Sequence, residues 1–327
     1  MTTFVDRHRS DFNYNGGSFN ATADLLWRDA AGHNVVWIAP SFIAPDTLPT
    51  VPPDWHVKAV ADFDPLLGGT GNADILWQND NGALALWQME GATVSAIGAL
   101  PNPGPSWHIA GDNNFIDSTN LLGDDILWRN DNGALAMWTG IKAATGTVTG
   151  MFALPQNPGP TWHVVGTGDT DNDGRAGILW QNDNGALAIW ENLATNTFTF
   201  NTVALLPTVD PSWHVKGMAD ISGDGRSDVV FQNDNGAVAI WEMGGAAGTT
   251  INALNLVDLD PGPAWHIVGL RELTHDAQID ILFQHDNGEV AAWARYESFG
   301  NGSATFHSVG QFTLLDPNPN GHVWDLL

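Results

Sequence analysis

The sequence contains no cysteine, which excludes disulfides and thiolate metal sites. It has no apolar run of 18 residues, so no stretch reads as a transmembrane helix. The first 20 residues hold no apolar core of the kind that marks an export signal. Charge is scarce and one-sided. Charged residues make up 15% of the chain, with 11 Lys plus Arg against 37 Asp plus Glu, a formal −26. A surface of that sign repels nucleic acid and anionic membranes. It suits cations, or neutral polar ligands such as sugars. The expected setting is extracellular or at a cell surface, although no signal peptide is visible.

What the chain has in quantity is tryptophan, 16 residues of it, and a recurring stretch that contains much of it. Trp77-Gln78-Asn79-Asp80-Asn81-Gly82-Ala83-Leu84-Ala85-Leu86-Trp87 returns at 128–138, 180–190, 231–241 and 283–293, with a worn copy at 27–37. The central glycines Gly32, Gly82, Gly133, Gly185, Gly236 and Gly288 are spaced by 50, 51, 52, 51 and 52 residues. A fixed period of that length means a repeat architecture. Each copy reads as a β-hairpin. Asn and Asp tolerate left-handed backbone and Gly adopts positive φ freely, so Asn-Asp-Asn-Gly between apolar arms is strong turn chemistry. The second arm is apolar on both faces, which requires cover on both sides.

The second repeat supplies the pattern. Residues 55–61 read as a first strand, 74–78 as a second, 83–88 as a third and 93–100 as a fourth. A polar loop fills 62–73, and the Pro-rich linker 101–105 leads to the next Trp-His. Four short strands in about 52 residues, with turn signals between them, describe one propeller blade. The predicted fold is therefore all-β: a six-bladed β-propeller of four-stranded antiparallel blades, forming a single domain over 1–327. Closure falls to the chain ends. Residues 321–327 resemble the start of another first strand and stop where the loop at Asp11 begins, so they would complete the first blade and protect its edge. The competing strand is 4–10, where Arg7, His8 and Arg9 suit an inner position poorly.

The order Trp-His-Val, Asp-rich loop, Asp-Ile-Leu-Trp-Gln-Asn, Gly and Trp resembles FG-GAP/VCBS-type propeller repeats over nearly the whole chain. That resemblance implies calcium loops of the form Asp-x-Asp-x-Asp-Gly-x-x-Asp between first and second strands. Its ligands would fall on Asp169, Asp171 and Asp173, and on Asp220, Ser222, Asp224 and Asp228, with the carbonyls of Arg175 and Arg226 completing the sets. Calcium takes six to eight oxygens, which alternate oxygen-bearing residues around a Gly turn can offer. Both copies depart from the pattern: Gly177 removes the closing carboxylate of one, and Ser222 weakens the other. The plain alternative is a pair of Asx and Gly turns without metal. Calcium is expected as a structural ion at most, and no cofactor is required.

In an up-and-down blade the second-to-third turn shares a rim with the linker and the Trp-His that follows it. That rim gathers Asn79, Asp80 and Asn81 with Trp107 and His108. It repeats as Asn130, Asp131 and Asn132 with Trp162 and His163, and as Asn182, Asp183 and Asn184 with Trp213 and His214. It closes with Asn233, Asp234 and Asn235, Trp265 and His266, and Asp286 and Asn287. Aromatic faces cover apolar C–H groups of a sugar while Asp and Asn take its hydroxyls. Several equal weak sites would add avidity. The same residues also have a purely structural reading, with Trp packed between blades and the turn shaping the hairpin. In the first blade Asp29-Ala30-Ala31-Gly32 has lost the turn sequence.

Catalysis needs one asymmetric constellation, and the polar features here come in equal copies. The unrepeated residues Arg271, Glu272, His275, Asp276, Arg295, Tyr296 and Glu297 show no spacing for a nucleophile and base. The sequence thus predicts a non-enzymatic, multivalent carbohydrate-binding propeller with glycan partners. The alternative is a calcium-stabilised adhesion or protein-interaction module.

Overall fold

The computed structural model describes residues 23–38, 46–63, 72–116, 123–258, 260–273, 278–298, 302–310 and 324–326. These residues form strands and turns without a helix. The first blade holds β1 (Leu25–Asp29), β2 (Asn34–Trp37) and β3 (Asp46–Leu48). The second holds β4 (Trp55–Ala61), β5 (Asp74–Asn79), β6 (Leu84–Glu90) and β7 (Thr93–Leu100). The third holds β8 (Trp107–Asn113), β9 (Asp125–Asn130), β10 (Leu135–Lys142) and β11 (Thr147–Leu154). The fourth holds β12 (Trp162–Gly168), β13 (Gly177–Asn182), β14 (Leu187–Ala194) and β15 (Thr199–Leu206). The fifth holds β16 (Trp213–Ala219), β17 (Asp228–Asn233), β18 (Val238–Gly244) and β19 (Thr250–Val257). The sixth holds β20 (Trp265–Arg271), β21 (Asp280–His285), β22 (Val290–Ser298) and β23 (Ser303–Gly310), and the last strand, β24, is Trp324–Leu326.

Blades two to six are antiparallel meanders in chain order, and the fold is the all-β, six-bladed propeller that the repeat predicts. The strands of the second blade fall within about two residues of their predicted bounds. The C-terminal strand completes the first blade: β24 pairs antiparallel with β1, Trp27 facing Leu326 and Asp29 facing Trp324. The competing N-terminal strand at 4–10 and the loop start at Asp11 lie outside the described residues. One pairing was not anticipated. The outer strands β19 and β23 join in parallel at Leu256–Ser303 and Val257–Ala304, merging blades five and six into one eight-stranded sheet.

By its contacts the chain divides into two compact units. One comprises His8–Leu154 with Leu314–Leu327 and holds blades one to three; the other comprises Met1–Arg7 with Pro155–Thr313 and holds blades four to six. Within each unit the core lies between neighbouring blades. The second strands are apolar on both faces, and their central Trp27, Trp77, Trp128, Trp180, Phe231 and Phe283 are fully buried. Each packs on the Trp that ends its hairpin, as Trp77 does on Trp87 at 5.0 Å and Phe231 on Trp241 at 4.7 Å between ring centroids. These tilted pairs are the geometry that aromatic quadrupoles favour. Glutamines stitch blade to blade. Gln232 donates from Nε2 to the Trp265 carbonyl at 2.7 Å and accepts the Ile267 N–H at 3.0 Å. In the other unit Gln78 donates to the Trp107 carbonyl at 3.1 Å.

A candidate binding rim and two acidic loops

Strand register decides what the rim becomes. In the second blade Trp55 faces Asn79 and His56 faces Gln78 across β4 and β5. This sets the His56 side chain beside the first turn residue beyond the strand, Asp80. The two meet, His56 Nε2 to Asp80 Oδ1 at 2.8 Å. The same bond recurs as His108–Asp131 at 2.8 Å, and as His163–Asp183, His214–Asp234 and His266–Asp286 at 2.7 Å. The pairs are well exposed, with histidines at 49–59% and aspartates at 63–70%. Each pair therefore forms within one blade, whereas the sequence grouped each turn with the Trp-His of the following blade: Asp80 meets His56, and His108 meets Asp131. His56, two residues into β4, is the partner that the sequence grouping left out.

The asparagines serve the turn. Asn79 Oδ1 accepts the Asn81 N–H at 3.1 Å, and Asn81 Oδ1 accepts the Ala83 N–H at 2.9 Å. Equal bonds occupy Asn130 and Asn132, Asn182 and Asn184, and Asn233 and Asn235. The first asparagine also reaches the linker, Asn130 to Ser106 Oγ at 3.1 Å and Asn182 to Thr161 Oγ1 at 3.0 Å. In the sixth blade His285 Nδ1 replaces the amide oxygen and accepts the Asn287 N–H at 3.1 Å. The first blade uses Asp29, which accepts from Ala31 at 3.0 Å and pairs with His33 at 2.6 Å instead. These Asx turns explain the repeated sequence by local geometry. Glycine is needed for more than its turn: a Cβ on Gly82, at φ 87°, would sit 2.8 Å from the Gly104 carbonyl carbon of the linker.

Trp55, Trp107, Trp213 and Trp265 are half-buried and pack against the inter-blade cores. What the rim offers a ligand is thus the exposed aspartate and imidazole of each pair. Two sites carry a neighbouring cation. Burial holds Lys58 and Lys216 below the usual lysine range, while Asp80 and Asp234 pull them back up.

The acidic loops lie at the opposite ends of the strands. Asp169, Asp171 and Asp173 bring one ligand oxygen each within 4.8 Å of one another. Burial raises both Asp169 and Asp171 above the normal carboxylate range, with neighbouring acids adding to the effect. Arg175 meets Asp173 at 2.6 Å. In both loops the carboxylates accept backbone N–H groups, and Asp169 takes those of Asn172 at 2.6 Å and Gly174 at 2.8 Å. Asp220 accepts from Gly223 at 2.7 Å and Gly225 at 3.0 Å, and Asp224 accepts from Arg226 at 2.9 Å. Asp228 accepts from Ile221 at 3.0 Å, Ser222 at 2.8 Å and Met243 at 3.0 Å. Burial pushes Asp228 up to about 7. The donor chemistry of the first loop fits a hard cation such as calcium better than that of the second, since its three acids converge.

Of the unrepeated residues, His275 and Asp276 lie outside the described set. Tyr296 joins a buried cluster between blades five and six, donating to Glu242 at 3.0 Å and receiving from Asn255 at 2.8 Å. Burial and Glu242 raise its phenol above the usual range.

The blade order and the five equal turns define a repeat propeller. Residues 169–231, which span both acidic loops, match the family model described as FG-GAP-like repeat. Over that span the propeller carries an FG-GAP-like repeat, set within six blades of the same strand pattern. No curated protein matches the chain. Solved structures resemble it distantly. A chain of the mitotic checkpoint complex is 12% identical, with 95% of this chain and 83% of that one covered at a TM-score of 0.49. The Cps50 (Swd1) β-propeller domain from Myceliophteria thermophila is 10% identical, covering 96% and 88% at 0.46. Human WBSCR16 is 14% identical, covering 83% and 74% at 0.40.

Proposed function

We propose that the chain is a non-catalytic interaction module whose five His–Asp pairs form a multivalent rim for neutral carbohydrates. The observation that carries this reading is the recurrence of one exposed pair at 2.7–2.8 Å in five blades. One carboxylate oxygen is held by the histidine. The other is left to accept a sugar hydroxyl, and the imidazole edge offers a second polar group. Equal copies suit a repetitive ligand, because linked weak contacts multiply avidity. Its place of action is the cell surface or the space outside it. The test is a glycan-array screen of the wild type beside a variant with Asp80, Asp131, Asp183, Asp234 and Asp286 all changed to Ala. Loss of binding with unchanged circular dichroism supports the rim. A folded variant that binds glycans with full avidity removes it.

A second reading has its own support. An FG-GAP-type propeller suggests a protein-interaction module. Outer strands expose Ile97, Met151, Val203, Leu205, Leu254 and Leu256, the last pair and Val203–Leu205 lying on neighbouring blades of one unit. The converging acids at Asp169 would let calcium stiffen that module. Absence of glycan binding, together with a melting temperature that calcium raises and EDTA lowers, favours this reading.

A further inference from the structure

Five blades carry, at or just before the start of their second strand, a buried aspartate three residues before the central aromatic: Asp24, Asp74, Asp125, Asp228 and Asp280. That acid clamps its blade. Asp125 accepts Phe115 and Ile116 N–H at 3.0 and 3.2 Å, Asp280 accepts Leu273 at 2.7 Å, and Asp228 also takes the Met243 N–H of the third strand. The fourth blade has Gly177 there, the departure that breaks its acidic-loop pattern.

The place is filled from elsewhere. Ile178 pairs with Trp190 across β13 and β14, so Gly177 looks toward Glu191. A Cβ built on Gly177 would collide with the Glu191 carboxyl carbon and both of its oxygens. Glu191 is 1% exposed, and Thr170 donates its hydroxyl to Glu191 Oε1. Thr170 is the counterpart of Ile221, whose N–H Asp228 takes in the fifth blade. Glu242 occupies the Glu191 position in that blade, but Asp228 is present, and Glu242 turns away to Asn255 and Tyr296.

We infer that Glu191 is the closing acid of the fourth-blade loop, its carboxyl reaching from the third strand into the position that an aspartate on the second strand fills in the other five blades. Through Thr170 it also positions the junction with the fifth blade. Arg226 donates to the Thr170 carbonyl at 2.9 Å, and Ser227 N–H to the Asp169 carbonyl at 2.6 Å. Burial next to Asp171 and Asp169 drives the Glu191 carboxyl well above its ordinary range, as expected for an acid enclosed with other acids.

A double-mutant cycle on the full chain tests this. Melting temperature and amide exchange at Thr170 are measured for wild type, Glu191→Ala, Gly177→Asp and the double variant. Each single change should lower the melting temperature by several degrees, the first by removing the acceptor of Thr170, the second by collision. The double change should recover most of the loss and restore slow exchange at Thr170. Glu191→Gln, which keeps an acceptor, should melt closer to wild type than Glu191→Ala does. A double variant melting at or below the weaker single one would overturn the assignment, as would Glu191→Gln matching Glu191→Ala.

Discussion

Replacing Gln232 with Ala should separate blades five and six more than any loss of side-chain area would suggest. The amide is 4% exposed and makes two bonds to the backbone of β20, one as donor at 2.7 Å and one as acceptor at 3.0 Å. Truncation strands both the Trp265 carbonyl and the Ile267 N–H between blades. A buried polar group left without its partner costs about 1–3 kcal/mol. Two such groups, with partial relief by water entering from the half-exposed Trp265, put the loss at roughly 2–4 kcal/mol. Urea unfolding followed by tryptophan fluorescence measures it directly, and the slope with denaturant shows whether unfolding stays cooperative. Gln232→Glu is the informative partner, because its ionised carboxylate keeps the acceptor for Ile267 and loses the donor to Trp265, whereas its protonated form keeps one of each. It should fall between wild type and Ala at low pH, where the carboxyl is protonated, and drop toward Ala at neutral pH. A loss below about 0.5 kcal/mol for Gln232→Ala, within the range of ordinary surface substitutions, would refute the reasoning. It would mean that the apolar inter-blade packing alone sets the spacing of these strands.

Other outcomes follow from the same geometry. Trp77→Phe should cost less than about 1.5 kcal/mol, against about 3–5 for Trp77→Ala, because its buried indole N–H has no acceptor among the described residues and Phe231 and Phe283 already fill that place; thermal melts compare the two. Gly236→Ala should destabilise more than Gly288→Ala, since φ is 101° and 93° but only the first Cβ meets backbone, that of Gly262. Asp228 has a folded pKa of about 7 against 3.8, so its contribution is present at low pH and is lost as pH rises from about 4 through 7, by up to roughly 4 kcal/mol. Asp228→Asn should flatten that part of the stability–pH curve, and an unchanged slope would exclude Asp228 as its source. Calcium should raise the melting temperature of the wild type, and Asp171→Asn should remove more of that gain than Asp224→Asn, because among the described residues only the Asp169 loop gathers its acids.

The repeat was legible because its cause is local. Asx oxygens, a glycine at positive φ and two-sided apolar strands are properties of a dozen residues, and they fix a hairpin wherever they recur. Period and hairpin together dictate a propeller, and the worn start of the chain with its Trp324 end foretold which strand completes the first blade. The bonds between distant residues were decided by register. The loop between first and second strands varies from blade to blade, so sequence spacing did not show that His56 stands against Asp80, 24 residues on. Only the pairing of β4 with β5 brings them together. The fourth blade makes the same point. Gly177 read as a lost carboxylate, because the sequence counts residues along one loop. The fold counts groups in space, and there the side chain of Glu191, on the next strand over, fills the place that the missing Cβ leaves open.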